Sequence, residues 1–158
     1  GVRLACTGVS WSCTGSRIFA SFGASGADGW DTTRSGLGVW RVGVSEVIEV
    51  LSWPCSLQCV AAHPNHPGIV ASGAATGEVV VWGVGVEGEQ VLGVGKGGVF
   101  GHRQPVTDLE WVRDPGRSRG GSEEHWLLLS CASDGLVLAW SLKNKLSHPV
   151  AGLLLRTK

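Results

Sequence analysis

Gly101-His102 opens a stretch that continues through Val106-Thr-Asp-Leu-Glu-Trp111 and Trp126-Leu-Leu-Leu-Ser-Cys131. It then turns at Ser133-Asp134-Gly135 and closes on Leu136-Val-Leu-Ala-Trp140. Val106–Trp111 alternates apolar and polar residues with the period of a strand. Trp126–Cys131 and Leu136–Trp140 are short continuous apolar runs, as in strands covered on both faces. Ser133-Asp134-Gly135 is a turn signal between them. Asp134 stands six residues before Trp140, and His102 lies just upstream of the first run. His102, Ser133, Asp134 and Trp140 are therefore the expected polar tie of one small antiparallel sheet.

The same outline recurs. Three segments end in an aliphatic run closed by tryptophan: Leu37-Gly-Val-Trp40, Val79-Val-Val-Trp82 and Leu136-Val-Leu-Ala-Trp140. Trp40 and Trp82 are 42 residues apart, inside the ~40–45-residue period of a four-stranded propeller blade. Trp82 and Trp140 are 58 apart. The excess matches Arg113–Glu124, whose Pro, Gly, Ser and charges read as an inserted surface loop. First strands are expected at 8–11, 57–61 and 106–111, and second strands at 17–22, 69–72 and 126–131. Outer strands are expected at 46–51, 90–94 and 153–157. No sustained helical period appears. The expected fold is all-β, with about three four-stranded blades of a larger propeller: blade one at 4–51, blade two at 55–95 and blade three at 100–158, the last with an inserted loop at 113–125.

Composition agrees. Twenty-five glycines in 158 residues disfavour helices and suit short strands joined by tight turns. The 13 basic and 13 acidic residues cancel, which is not the basic footprint of a phosphate-binding protein, so no nucleic-acid partner is expected. Arg113, Arg117 and Arg119 are answered by Glu123 and Glu124. No apolar run approaches the ~20 residues of a membrane helix, and no charged-then-apolar leader opens the chain. The lack of any methionine suggests a piece of a longer product. The five cysteines are odd in number and lack paired metal spacing, which fits a reducing compartment.

Other constellations read as structure. His102, Ser133 and Asp134 invite a Ser-His-Asp hydrolase reading, but no strand-to-helix elbow exposes Ser133. A hydrogen-bonded chain involving Ser130 or Ser133 is the simpler account. Gly83-Val-Gly-Val-Glu-Gly88 and Gly93-Val-Gly-Lys-Gly-Gly98 fit G-x-G-x-x-G, yet no helix or acidic ribose partner follows. They are expected to be flexible loops between blades, with no cofactor. His63, His66 and Cys59 offer only a His-x-x-His beside Pro64 and Pro67, so a turn and no metal is expected. Trp40 and Trp82 close their blades. Trp30 and Trp53 are expected in loops and are the candidate partner contacts.

The Gly-His, Ser-Asp-Gly and terminal-Trp pattern resembles WD40 repeats. The stretch Cys59-Val-Ala-Ala-His-Pro-Asn-His-Pro-Gly-Ile-Val-Ala-Ser-Gly-Ala-Ala-Thr-Gly-Glu-Val-Val-Val-Trp82 resembles a blade of dynein intermediate chains. The insertion after Trp111, with Asp28-Gly-Trp30, is most similar to the intermediate chain of intraflagellar-transport (type 2) dynein. The resemblance spans roughly residues 4–142. It departs from the WD pattern after each blade-closing tryptophan, where Arg41, Gly83 and Ser141 replace aspartate. Thr76 and Arg34 stand at the turn position that Asp134 fills in blade three.

The resemblance implies a non-catalytic dynein subunit in the cytoplasm, cytoskeleton and cilium or flagellum. Its propeller would bind the dynein heavy chain, alongside other dynein intermediate and light chains. In that family the light-chain-binding segment lies upstream of the propeller, and none is expected here. The alternative is a WD40 scaffold of another complex, such as a ubiquitin-ligase adaptor.

Overall fold

The computed structural model describes residues 4–24, 35–44, 47–85, 90–114 and 125–155. Among the described residues, twelve strands form three four-stranded antiparallel sheets. Blade one is β1 (Leu4–Trp11), β2 (Arg17–Ala24), β3 (Ser35–Arg41) and β4 (Val47–Trp53). Blade two is β5 (Leu57–Ala62), β6 (Ile69–Ala74), β7 (Val79–Gly83) and β8 (Val91–Gly95). Blade three is β9 (Val106–Arg113), β10 (Trp126–Ala132), β11 (Leu136–Trp140) and β12 (Ala151–Leu154). In each sheet, sequence neighbours are spatial neighbours, the meander expected when tight turns join short strands. A single-turn 3-10 helix, Leu142–Asn144, links β11 to β12.

The expected strands are found, with shifted outer edges. β4 runs on to Trp53 because Ser35 pairs with Trp53 across the ladder, and Pro54, which has no N–H, then ends it. Trp53 is therefore on a strand, not in the loop expected of it. β12 starts earlier than expected, since Ala151 pairs with Ala139. The inserted loop leaves the sheet at Asp114, whose N–H donates to His125 O at 2.8 Å. Residues 115–124 and Trp30 lie outside the described residues.

Two cores lie between the sheets. Phe19, Leu37, Val39 and Leu51 of blade one meet Leu57, Val70, Val80 and Trp82 of blade two. Ala71, Val79 and Val81 on the other face of blade two meet Val106, Leu109, Leu128 and Trp140 of blade three. A middle sheet sandwiched in this way needs apolar residues at every position, which is why β7 reads Val-Val-Val-Trp and is buried throughout. Each fully buried Val or Leu contributes about 1.5–3 kcal/mol.

Polar groups stitch the inner strands across the blade boundaries. Thr7 Oγ1 donates to Leu57 O at 2.8 Å, Ala62 N to Ser10 Oγ at 3.0 Å and Trp111 Nε1 to Ala61 O at 3.1 Å. Sheet packing is close enough to require glycine. A Cβ on Gly73 would lie 2.5 Å from Val106 Cγ1, and one on Gly95 would lie 2.8 Å from the Trp140 ring. Gly93 and Gly95 are thus part of β8, not the flexible loop expected of Gly93–Gly98. Of the first glycine motif, residues 86–89 lie outside the described residues.

Each blade-closing tryptophan faces the blade before it: Trp82 toward blade one and Trp140 toward blade two. Trp40, the equivalent on blade one, has no such blade among the described residues. Its face is an open groove of about 360 Å³ lined by Leu4, Phe22, Trp40 and Val50. Trp11 pairs with Ile18 as Trp111 pairs with Leu128, so the two are equivalent; Trp111 is buried while Trp11 is 58% exposed. The arrangement is an unclosed arc of a propeller.

Candidate functional site: the buried polar tie and its variants

His102 sits in the β8–β9 connection, Ser130 within β10, Asp134 in the β10–β11 turn and Trp140 at the end of β11. Trp140 Nε1 donates to Ser130 Oγ at 2.8 Å. Ser130 Oγ lies 2.7 Å from His102 Nε2, and His102 Nδ1 lies 3.3 Å from both Asp134 oxygens. A carboxylate only accepts, so in the neutral ring Nδ1 carries the proton and donates to Asp134. Nε2 then accepts from the serine hydroxyl, which in turn accepts from the indole. Every donor in the chain is used.

Asp134 also accepts from Arg103 N at 2.9 Å and from Leu136 N at 3.0 Å. Burial pushes its pKa up, but the Arg103 and Leu136 amides and the His102 ring outweigh that and hold it below the ordinary carboxylate value. Gly135, at φ 79°, lets the turn close beneath it.

Of the two serines considered for this tie, Ser133 named in the expected set and Ser130 as its alternative, the structure places Ser130 there. Side chains alternate along a strand, and Leu128 pairs with Trp140, so Leu128 and Ser130 share the face on which Trp140 lies. Ser133 is past the strand end, exposed, with its N–H donating to Pro105 O at 3.4 Å. His102, Asp134 and Trp140 lie with Ser130 in this one hydrogen-bonded chain. A usable signal existed: serine stands ten residues before tryptophan at both Ser72–Trp82 and Ser130–Trp140.

The Ser-His-Asp order is that of a hydrolase triad, but its surroundings are not. Ser130 is 1% exposed and His102 0%, and the Ser130 hydroxyl already serves an indole. A nucleophile must reach substrate; here both groups are sealed within the sheet packing.

The other blades keep less of the tie. In blade two, Trp82 Nε1 donates to Ser72 Oγ at 2.7 Å. Leu57 pairs with Ala74 as Val106 pairs with Ala132, which puts Trp53 at the position of His102 and Thr76 at that of Asp134. Trp53 fills the space with its ring, edge-on to Trp82 at 5.3 Å, and its Nε1 is buried without an acceptor among the described residues. In blade one, Ile18 pairs with Trp40, which puts Ala20 where the serine stands elsewhere. Trp40 packs against Phe22 at 5.9 Å.

The His-x-x-His segment forms a turn. His63 Nδ1 accepts from Asn65 N and His66 N, both at 3.1 Å, which occupies that nitrogen. The buried Cys59 thiol donates to Val106 O at 3.7 Å. No three potential metal ligands converge among the described residues. No helix among them is long and apolar enough to cross a membrane.

Four-stranded blades packed face on face, the third carrying a complete internal His-Ser-Asp-Trp chain, define a partial β-propeller of the WD40 type. The fold matches the solved structure of U3-55K with a TM-score of 0.70 at 18% identity, over 99% of this chain and 41% of that one. In sequence the chain is homologous to cytoplasmic dynein 2 intermediate chain 2, as the blade-two resemblance implied. It is 32% identical to the human (Homo sapiens) protein over 144 residues, 85% of this chain and 25% of that protein. It is 33% identical to the mouse (Mus musculus) protein over 150 residues, 89% of this chain and 26% of that protein. The chain thus spans about a quarter of the length of these curated relatives. No family model matches it.

Proposed function

We propose that this chain is propeller from a non-catalytic dynein intermediate chain, a scaffold that binds the dynein heavy chain in microtubule-based ciliary transport. The observation that carries this reading is the 32–33% identity to cytoplasmic dynein 2 intermediate chain 2. The non-enzymatic part is supported by the burial of Ser130 and His102, the pair whose order resembles a catalytic one. On this reading the partners are the heavy chain together with other dynein intermediate and light chains, in the cytoplasm, cytoskeleton and cilium. Trp30 is the proposed aromatic contact; Trp53, expected to share that role, is instead packed edge-on against Trp82.

The test is to tag the full-length parent protein in ciliated cells and identify co-purifying proteins by mass spectrometry. Dynein heavy and light chains are expected. A reproducible set without any dynein subunit would overturn the reading in favour of a scaffold for another complex.

A further inference from the structure

Val99 and Phe100 are 80% and 76% exposed, more than any other large apolar residue described. They lie in the β8–β9 connection, at the tip of a turn built by glycine. Gly101 N donates to Gly98 O at 3.4 Å, and Gly98 N donates to His102 O at 3.0 Å. The first bond closes a four-residue turn with Val99 and Phe100 at its two central positions.

The turn is held in place, so it cannot fold its apolar tip inward. Gly98 has a φ of 105°, a conformation that residues with a side chain rarely adopt. A Cβ on Gly101 would overlap Lys96 O, and one on Gly97 would lie 2.7 Å from Thr76 O. The backbone is thus seated against the β6–β7 turn and on His102, whose ring is fixed in the polar tie of blade three. Val99 and Phe100 also sit between blades two and three, within the arc. A further blade stacked on either open end would leave them in solvent.

Two cations bracket the turn. Lys96 and Arg103 are both exposed, and neither side chain is in an ion pair among the described residues. The carboxylates of the two adjoining turns are already engaged. Asp134 accepts from Arg103 N and Leu136 N, and Glu78 accepts from Thr76 Oγ1 at 3.1 Å. An aromatic ring held rigidly in solvent loses little further freedom on binding, which is what an interface anchor requires.

We propose that the Val99-Phe100 turn is the anchor by which this propeller holds the dynein heavy chain. The two side chains enter an apolar pocket of that subunit, and carboxylates at the pocket's rim meet Lys96 and Arg103. The proposal rests on the reading of the chain as a dynein intermediate chain.

The test uses the tagged full-length parent protein in ciliated cells, with the recovered heavy chain quantified by mass spectrometry. Val99→Ser with Phe100→Ser should reduce recovery at least about tenfold, as loss of an anchor does, and leave the melting temperature of the protein unchanged. Leu155→Ser, at a residue 71% exposed, should leave recovery unchanged. Lys96→Glu with Arg103→Glu should reduce recovery severalfold at low salt and less at high salt. If the unsubstituted parent recovers no heavy chain, the dynein reading fails and the proposal with it. If the parent recovers it and either double substitution recovers as much at low salt, the proposal alone is overturned. An equal loss with Leu155→Ser would overturn it too, as would a parent dimer in sedimentation that Phe100→Ser dissociates, because the occupant would then be a second copy of the chain.

Discussion

Trp140 Nε1 donates to Ser130 Oγ at 2.8 Å, and ten residues separate them in the chain. The same bond at the same spacing joins Trp82 to Ser72 at 2.7 Å. In blade three the serine hydroxyl donates in turn to His102 and the chain ends on Asp134; in blade two it stops at the serine. The three blades therefore form a graded series: a complete tie, a half tie, and in blade one Ala20 with no hydroxyl to offer. Stability should be distributed in the same order.

Ser130→Ala removes the acceptor of Trp140 and the donor to His102, leaving two buried groups unpaired. We expect a loss of about 2–4 kcal/mol in chemical denaturation. Ser133→Ala, at the exposed turn, should cost less than about 0.5 kcal/mol. Equal effects would show that Ser130 is not the central link.

Trp53 and Trp82 form an edge-on pair, but only one of the two indole N–H groups is satisfied. Replacing either with Phe loses similar volume. Trp82→Phe additionally strands the Ser72 hydroxyl, and should be the more destabilising by about 1–2 kcal/mol. Trp53→Phe removes an orphan donor and should be nearly neutral. Thermal melts of the two variants side by side decide this.

Burial, with a smaller contribution from His66, holds the His63 pKa down at about 4 against an ordinary 6.5. Between those values the unfolded chain binds the proton and the folded chain does not. Stability is therefore fully present above pH 6.5 and falls as the pH drops toward 4, by on the order of 2–3 kcal/mol. Asp134 acts in the same direction at lower pH: its folded pKa is depressed, so its contribution is lost as pH falls through that value. His63→Asn offers an oxygen to the same turn amides without titrating. Urea titrations at a series of pH values should show its slope between pH 4 and 6.5 flattened.

Desolvation, aided by the nearby Asp108 and Cys131, pushes the Cys59 thiol up to about 12. Cys6 and Cys13 are exposed. A thiol reagent at neutral pH should label Cys6 and Cys13 within minutes and leave Cys59 untouched until denaturant is added, because only the thiolate reacts. Mass mapping of labelled peptides reads this directly; early Cys59 labelling would show that the interface between blades two and three opens.

Most of the blade architecture was legible from local signals. Alternation in Val106–Trp111, apolar runs closed by Trp82 and Trp140, and the turn at Ser133-Asp134-Gly135 are all short-range features, and the strands appear where they were expected. The edges were less legible. β4 reaches Trp53 because Ser35 lies opposite it, and β12 begins at Ala151 because Ala139 does; pairing partners far along the chain set both limits. The glycines of β8 looked like loop residues because their reason, the Trp140 ring and the Lys145 carbonyl of the next blade, lies some 50 residues away in sequence.

In the candidate site, His102, Asp134 and Trp140 were readable because turn chemistry and repeat spacing are written in order along the chain. Ser130 against Ser133 was not settled that way, since both are serines within a few residues of the turn. Strand register chose between them: only Ser130 shares a face with Trp140. The sequence alone determined three sheets, their strand order and the residues able to tie them, because a period of two and a turn residue act over a few bonds. Tertiary structure alone decided which hydroxyl is buried, that Trp53 replaces a histidine, and that Trp111, Trp126 and His63 meet in one groove. Those facts depend on which blade face packs against which, and that is set by contacts between residues tens of positions apart.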